Sequence, residues 1–166
     1  MLRSRLFGIL LALFVSVAPA AVAAAPVSAT PATVVSGRTV GQTISYNTGA
    51  PGQCTWGAME KFRAYSGRYA ALAGNAADWY HNARATGWST SATPRPFAMV
   101  VFPPGVQGAS RYGHVGWVDA LRRIGGSTWL HMYDMNGPGG PFATRWTWIR
   151  HVPGMGYILA PRAAGA

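Results

Sequence analysis

Gly113-His114-Val115-Gly116-Trp117-Val118-Asp119-Ala120-Leu121 and the later run Thr128-Trp129-Leu130-His131-Met132-Tyr133-Asp134-Met135 decide the fold class of this chain. Both carry β-branched and aromatic residues and end at Gly, Pro or Ser clusters, the composition and punctuation of strands. Phe97–Phe102, Thr144–Ile149 and Gly156–Leu159 read the same way. Upstream the period changes. Ala58, Phe62 and Tyr65 recur at helical spacing between Thr55 and Tyr65, with Glu60, Lys61 and Arg63 on other faces, and Gly67 stops the run. A second helix is expected from after Asn75 to about Thr86, ending at Gly87. N-terminal helices followed by a run of strands predict an α+β domain with an antiparallel β-sheet.

The ends of the chain read differently. Arg3 and Arg5 precede an apolar run from Leu6 to Ala18, and small residues follow, so 1–25 is expected to be a secretory signal peptide. The run is shorter than the ~20 apolar residues of a membrane span and Pro19 interrupts it, so no stable membrane insertion is expected after cleavage. The stretch 26–47 is rich in Ala, Ser, Thr, Val and Gly and reads as a linker or loosely docked arm. The expected domain covers 48–162, with 163–166 as a tail. The protein is therefore expected to be secreted, acting extracellularly, in the cell wall or in the periplasm.

Without Arg3 and Arg5, twelve Lys+Arg remain against four Asp+Glu, and all but Lys61 are arginines. That balance favours anionic partners such as acidic wall polymers, or serves as a solvated basic face. The cations are scattered and carry no nucleic-acid motif, so no nucleic-acid partner is expected.

Cys54 is the single cysteine, so it forms no internal disulfide. It lies in Pro51-Gly52-Gln53-Cys54-Thr55-Trp56, immediately before or at the first turn of the first expected helix. Unpaired N–H groups and the helix dipole stabilise negative charge there, which favours a thiolate. The same N–H groups, with the side chain of Gln53, suit an oxyanion; Gln53 and Trp56 are the candidate oxyanion or substrate contacts.

A thiolate nucleophile needs a base. His114 opens a strand between Gly113 and Gly116, where small neighbours leave room for a substrate. His81, His131 and His151 have plainer readings as helix-surface, packed-strand and turn residues. No zinc-site spacing links the four histidines, and no metal or cofactor is expected. For the orienting acid, Glu60 and Asp78 fit helix surfaces, and Asp119 has odd offset from His114 and so points to the other sheet face. Asp134 and Asn136 remain, two apart and able to share one face; either can orient an imidazole. The plainer reading has Asp134 opening a Gly/Pro turn.

Gly52-Gln53-Cys54-Thr55-Trp56, Gly113-His114-Val115, Tyr133-Asp134-Met135-Asn136 and Gly156-Tyr157-Ile158, in that order, resemble the CHAP domain, the cysteine- and histidine-dependent amidohydrolase/peptidase family. Gly74-Asn75-Ala76-Ala77-Asp78-Trp79 resembles the family's segment after its first helix, and the likeness spans about Gln53 to Pro161. The resemblance implies a papain-like fold and a secreted hydrolase of bacterial peptidoglycan, acting as an N-acetylmuramoyl-L-alanine amidase or a peptide endopeptidase. It implies Cys54 as nucleophile, His114 as base, and Asp134 or Asn136 as orienting residue. Many members carry Glu where this chain has Asp134. The competing expectations are a catalytically silent wall binder that stacks glycan fragments on its tryptophans, and an acyl-transferring or toxin variant.

Overall fold

The computed structural model describes residues 37–163. The leader expected over 1–25, the start of the arm and the last three residues of the tail lie outside the described residues.

Two α-helices and two sheets make up the described chain. Strand β1 (Thr43–Ile44) pairs with β2 (Tyr69–Ala70), flanking helix α1 (Cys54–Ser66) in sequence. Helix α2 (Trp79–Ala85) follows a 3-10 turn at Ala76–Asp78. The main sheet contains β3 (Thr90–Ser91), β4 (Ala98–Phe102), β5 (His114–Ile124), β6 (Ser127–Met135), β7 (Thr144–Arg150) and β8 (Gly156–Leu159). Its spatial order is β3-β8-β4-β5-β6-β7, and every neighbouring pair is antiparallel. The longer strands fall where alternation and punctuation expected them. The two-residue strands β1, β2 and β3 carry too little pattern to be seen in sequence.

Gly125 and Gly126 join β5 to β6 with φ of 53° and 78°. Two positive φ angles in a two-residue loop match the right-handed twist of the flanking strands, and glycine adopts them without steric cost. This hairpin sets the β5–β6 register, which a bulge between Val118 and Ala120 then shifts.

The sheet buries both faces, so β4 is buried along its whole length. On one face Met59 and Phe62 of α1 pack with Met99, Val101, Val115, Trp117 and Ile158. Phe62 meets the rings of Trp88 and Trp117 edge-on, with centroids 5.2 and 6.4 Å away. The other face buries Ala98, Val100, Val118, Leu130, Met132 and Tyr157.

Helix α1 approaches β6 closely because residue 57 is glycine. A Cβ there would lie 2.8 Å from the Met135 Cβ and 3.2 Å from the Tyr133 ring. Alanine normally favours a helix over glycine by about 1 kcal/mol. Here Gly57→Ala is expected to destabilise by about 1–3 kcal/mol, because the helix must move off the sheet. A thermal melt beside wild type checks the sign; an increase in stability would show that the helix yields freely.

The arm expected over 26–47 is tied down from Arg38 onward. The Arg38 guanidinium donates to the carbonyls of Pro96, Phe97 and Ala160, Thr39 bonds Ser89, and Gln42 N–H donates to Thr86 C=O. Ala and Ser content alone hides this docking, because one arginine and a backbone ladder supply it. No helix of the described residues is long and apolar enough to cross a membrane.

Candidate active site

Helix α1 begins at Cys54, with Gln53 in extended conformation as its N-cap and no side chain capping the first turn. The first-turn N–H groups are therefore free to act on groups at the helix end. Strand β5 begins at His114, which pairs with Phe102 at the end of β4. These chain ends meet along a cleft of about 820 Å³ that holds Gln53, Cys54, His114, Asp134, Asn136 and Arg145 in its lining.

Cys54 and His114 adjoin and each shifts the other's titration. Burial pushes the thiol up, but His114 and the backbone N–H groups of Val115 and Thr55 outweigh it, so the thiol titrates below its ordinary value. Burial alone depresses the imidazole. The neighbouring Asp134 and Cys54 more than reverse that and raise His114 to about 9. Across the interval between these two titrations the pair exists as thiolate and imidazolium.

His114 Nε2 lies 3.4 Å from Asp134 Oδ2. That is ion-pair range but a long contact, and the nitrogen has no hydrogen-bond partner of good geometry. Asp134 is 2 % exposed. Burial raises its carboxyl, and His114 and Arg145 lower it further, so it titrates below the usual carboxylate range.

The structure thus brings Cys54, His114 and Asp134 together. Asn136 takes another position. It follows β6 with φ of 57°, and its Nδ2 donates to Gln53 Oε1. Of the two residues left open by the two-residue spacing, Asp134 meets the imidazole and Asn136 meets Gln53. Trp56 does not line the cleft. Two residues along a helix turn it by about 200°, so its ring leaves the side that Cys54 presents.

The glycines beside His114 also differ from expectation. A Cβ at Gly113 would fall 2.6 Å from Ala77 N and 2.7 Å from Phe102 O, and one at Gly116 2.7 Å from the Met132 sulfur. Their missing side chains admit neighbouring protein chain, while Gly113 also lines the cleft. The plainer histidine readings fit: His81 is exposed, His131 stacks on Trp146 beside Asp119, and His151 bonds Tyr157. Asp119 lies away from the cleft, as its odd offset from His114 required. Among the described residues no group of three His, Cys, Asp or Glu is placed to hold a metal.

Two contributors went unread in the sequence. Arg145 of β7 forks onto Asp134, with Nε 2.9 Å from Oδ1 and Nη2 3.1 Å from Oδ2. Phe142 donates its N–H to Gly52 C=O at 2.9 Å, and its ring occupies the space a Cβ at Gly52 would need. Gly52 has φ of 82°, so glycine serves both the turn and this close approach. The signal for Arg145 was present only as register: Asp134 and Arg145 are direct partners across β6 and β7.

The CHAP domain family model matches residues 44–136, more than half of the chain. The chain belongs to the CHAP domain family. The chain is similar to an N-acetylmuramoyl-L-alanine amidase domain-containing protein of Staphylococcus aureus, 33 % identical over 75 residues. That alignment covers 45 % of this chain and 12 % of the relative. Among solved structures, the CHAP chain is similar to an N-acetylmuramoyl-L-alanine amidase from Staphylococcus aureus, at 26 % identity and a TM-score of 0.57. This match covers 66 % of the chain and 30 % of the neighbour, so the chain spans less than a third of either protein's length.

Proposed function

We propose that this CHAP domain is a papain-like cysteine hydrolase that cleaves amide bonds of peptidoglycan, as an N-acetylmuramoyl-L-alanine amidase or a peptide endopeptidase. The observation that carries the reading is the Cys54–His114–Asp134 sequence of contacts at a helix N-terminus inside an open cleft. The amidase names of both relatives support the substrate class.

The Cys54 thiolate attacks the scissile carbonyl, forming a C–S bond and an oxyanion. The first-turn N–H groups of α1 and the Gln53 amide stabilise that oxyanion; with Asn136 donating into its oxygen, Gln53 keeps its NH2 as the donor. His114, as imidazolium, gives its proton to the leaving nitrogen as the C–N bond breaks. Neutral His114 then takes a proton from water, whose oxygen attacks the thioester, and the carboxylic acid leaves as the thiolate returns. Asp134 faces Nε2, which leaves Nδ1 for the proton transfers, and offsets the imidazolium charge. We place this action outside the cytoplasm, on the leader read over 1–25.

Incubation of the domain with purified peptidoglycan, followed by mass analysis of the soluble products, tests the reading. Expected products carry a new free carboxyl on muramic acid or within the peptide, with a matching new amino terminus. Binding to the wall without any such product would replace the hydrolase by a silent binder.

A further inference from the structure

The carboxylate beside His114 is not held by His114. At 3.4 Å, with no well-formed hydrogen bond on Nε2, the imidazole does not fix the rotation of the Asp134 side chain. Arg145 does. Its guanidinium takes both carboxylate oxygens at 2.9 and 3.1 Å, a planar fork that leaves the carboxylate one orientation. Oδ2 is the oxygen shared between Arg145 Nη2 and His114 Nε2.

The backbone enforces this arrangement. Asp134 and Arg145 are direct cross-strand partners, the closest relation two strands allow. Gly137 leaves the clamp its space, because a Cβ there would fall 2.9 Å from Asp134 Oδ2 and 3.4 Å from Arg145 Nε. Arg145 itself is 47 % exposed and lines the cleft, while Asp134 is buried. The titratable and charged groups around the carboxylate are His114 from β5, Arg145 from β7, Tyr133 beside it on β6, and Cys54 from α1 through His114.

We infer that Arg145 is a positioning residue of this site, clamping Asp134 as an ionised carboxylate with Oδ2 presented to His114. The inference rests on the proposed cysteine mechanism for its catalytic consequence, but the clamp can be tested without any wall substrate.

The test uses Arg145→Met, Arg145→Lys, Asp134→Asn and the Asp134→Asn/Arg145→Met double variant. Alkylation of Cys54 by iodoacetamide across pH reads the thiolate–imidazolium pair directly. Without its fork Asp134 protonates more readily, so the low-pH limb of the Arg145→Met profile is expected to move to higher pH. Arg145→Lys keeps the charge without the fork and is expected to move it less. In the Asp134→Asn background Arg145→Met is expected to change nothing further, because Arg145 acts through that carboxylate. On wall substrate Arg145→Met is expected to lower kcat by about 10–100-fold with KM little changed, the scale of a misplaced catalytic group. An alkylation profile identical to wild type in a folded Arg145→Met protein would overturn the clamp, as would equal and independent losses in the two backgrounds. A shifted profile in a protein that cuts no wall preparation supports the clamp and rejects the hydrolase.

Discussion

Cys54→Ala is expected to reduce wall hydrolysis by on the order of 10⁴-fold or more, and His114→Ala by a comparable factor, with the double variant no worse than either single one. Members of one covalent relay fail together, because each step needs both the sulfur and the proton carrier. The pH dependence carries a second signature. The Cys54 thiol is lowered by His114 and nearby N–H groups, while His114 is raised to about 9. Activity should therefore rise with pH as the thiol ionises below its ordinary range, and fall above about 9 as the imidazolium loses the proton it must deliver. In His114→Ala the thiol loses the partner that lowers it, and iodoacetamide labelling should begin only at higher pH. Initial rates on labelled peptidoglycan, with alkylation measured in parallel, check both. Hydrolysis that survives Cys54→Ala would remove the covalent mechanism altogether.

The second large effect is on stability. Phe62→Ala is expected to cost about 3–5 kcal/mol, the range for deleting a large buried aromatic side chain. Phe62 is fully buried, and its ring edges contact Trp88 and Trp117, so the void is walled by rigid groups that collapse poorly. For a domain of this size the melting temperature should fall by on the order of 10–20 °C. The loss reaches the site as well, since Phe62 holds α1 against the sheet and α1 carries Cys54 at its first turn. A calorimetric scan checks the size; a shift of only a few degrees would mean that the tryptophans close the gap.

What could be read in advance divides along a physical line. The periods of 3.6 and 2 are properties of consecutive residues, so the helix carrying Cys54 and the strands carrying His114 and Asp134 were visible as patterns. The place of Cys54 at a helix start was equally local. A thiol at a helix start feels the backbone immediately after it, although the larger lowering comes from His114 and Val115, distant along the chain. The same holds for Asp119, whose parity alone sent it to the face away from His114.

Contacts between strands are of another kind. Asp134 and Asn136 are two apart and indistinguishable by alternation. What separates them is that β6 ends at Met135 and Asn136 turns into positive φ, carrying its amide to Gln53. Arg145 reaches Asp134 through the β6–β7 register, and Phe142 reaches Gly52 through the loop between the same strands. Helical rotation took Trp56 out of the cleft, and close backbone packing claimed the space beside His114. By itself, the sequence determined the class of fold, the family likeness and the thiol and imidazole we propose as nucleophile and base, because each is written in short-range order. Only the tertiary structure decided which acid faces the base and what holds it there, because register and loop path follow from the packing of segments distant along the chain.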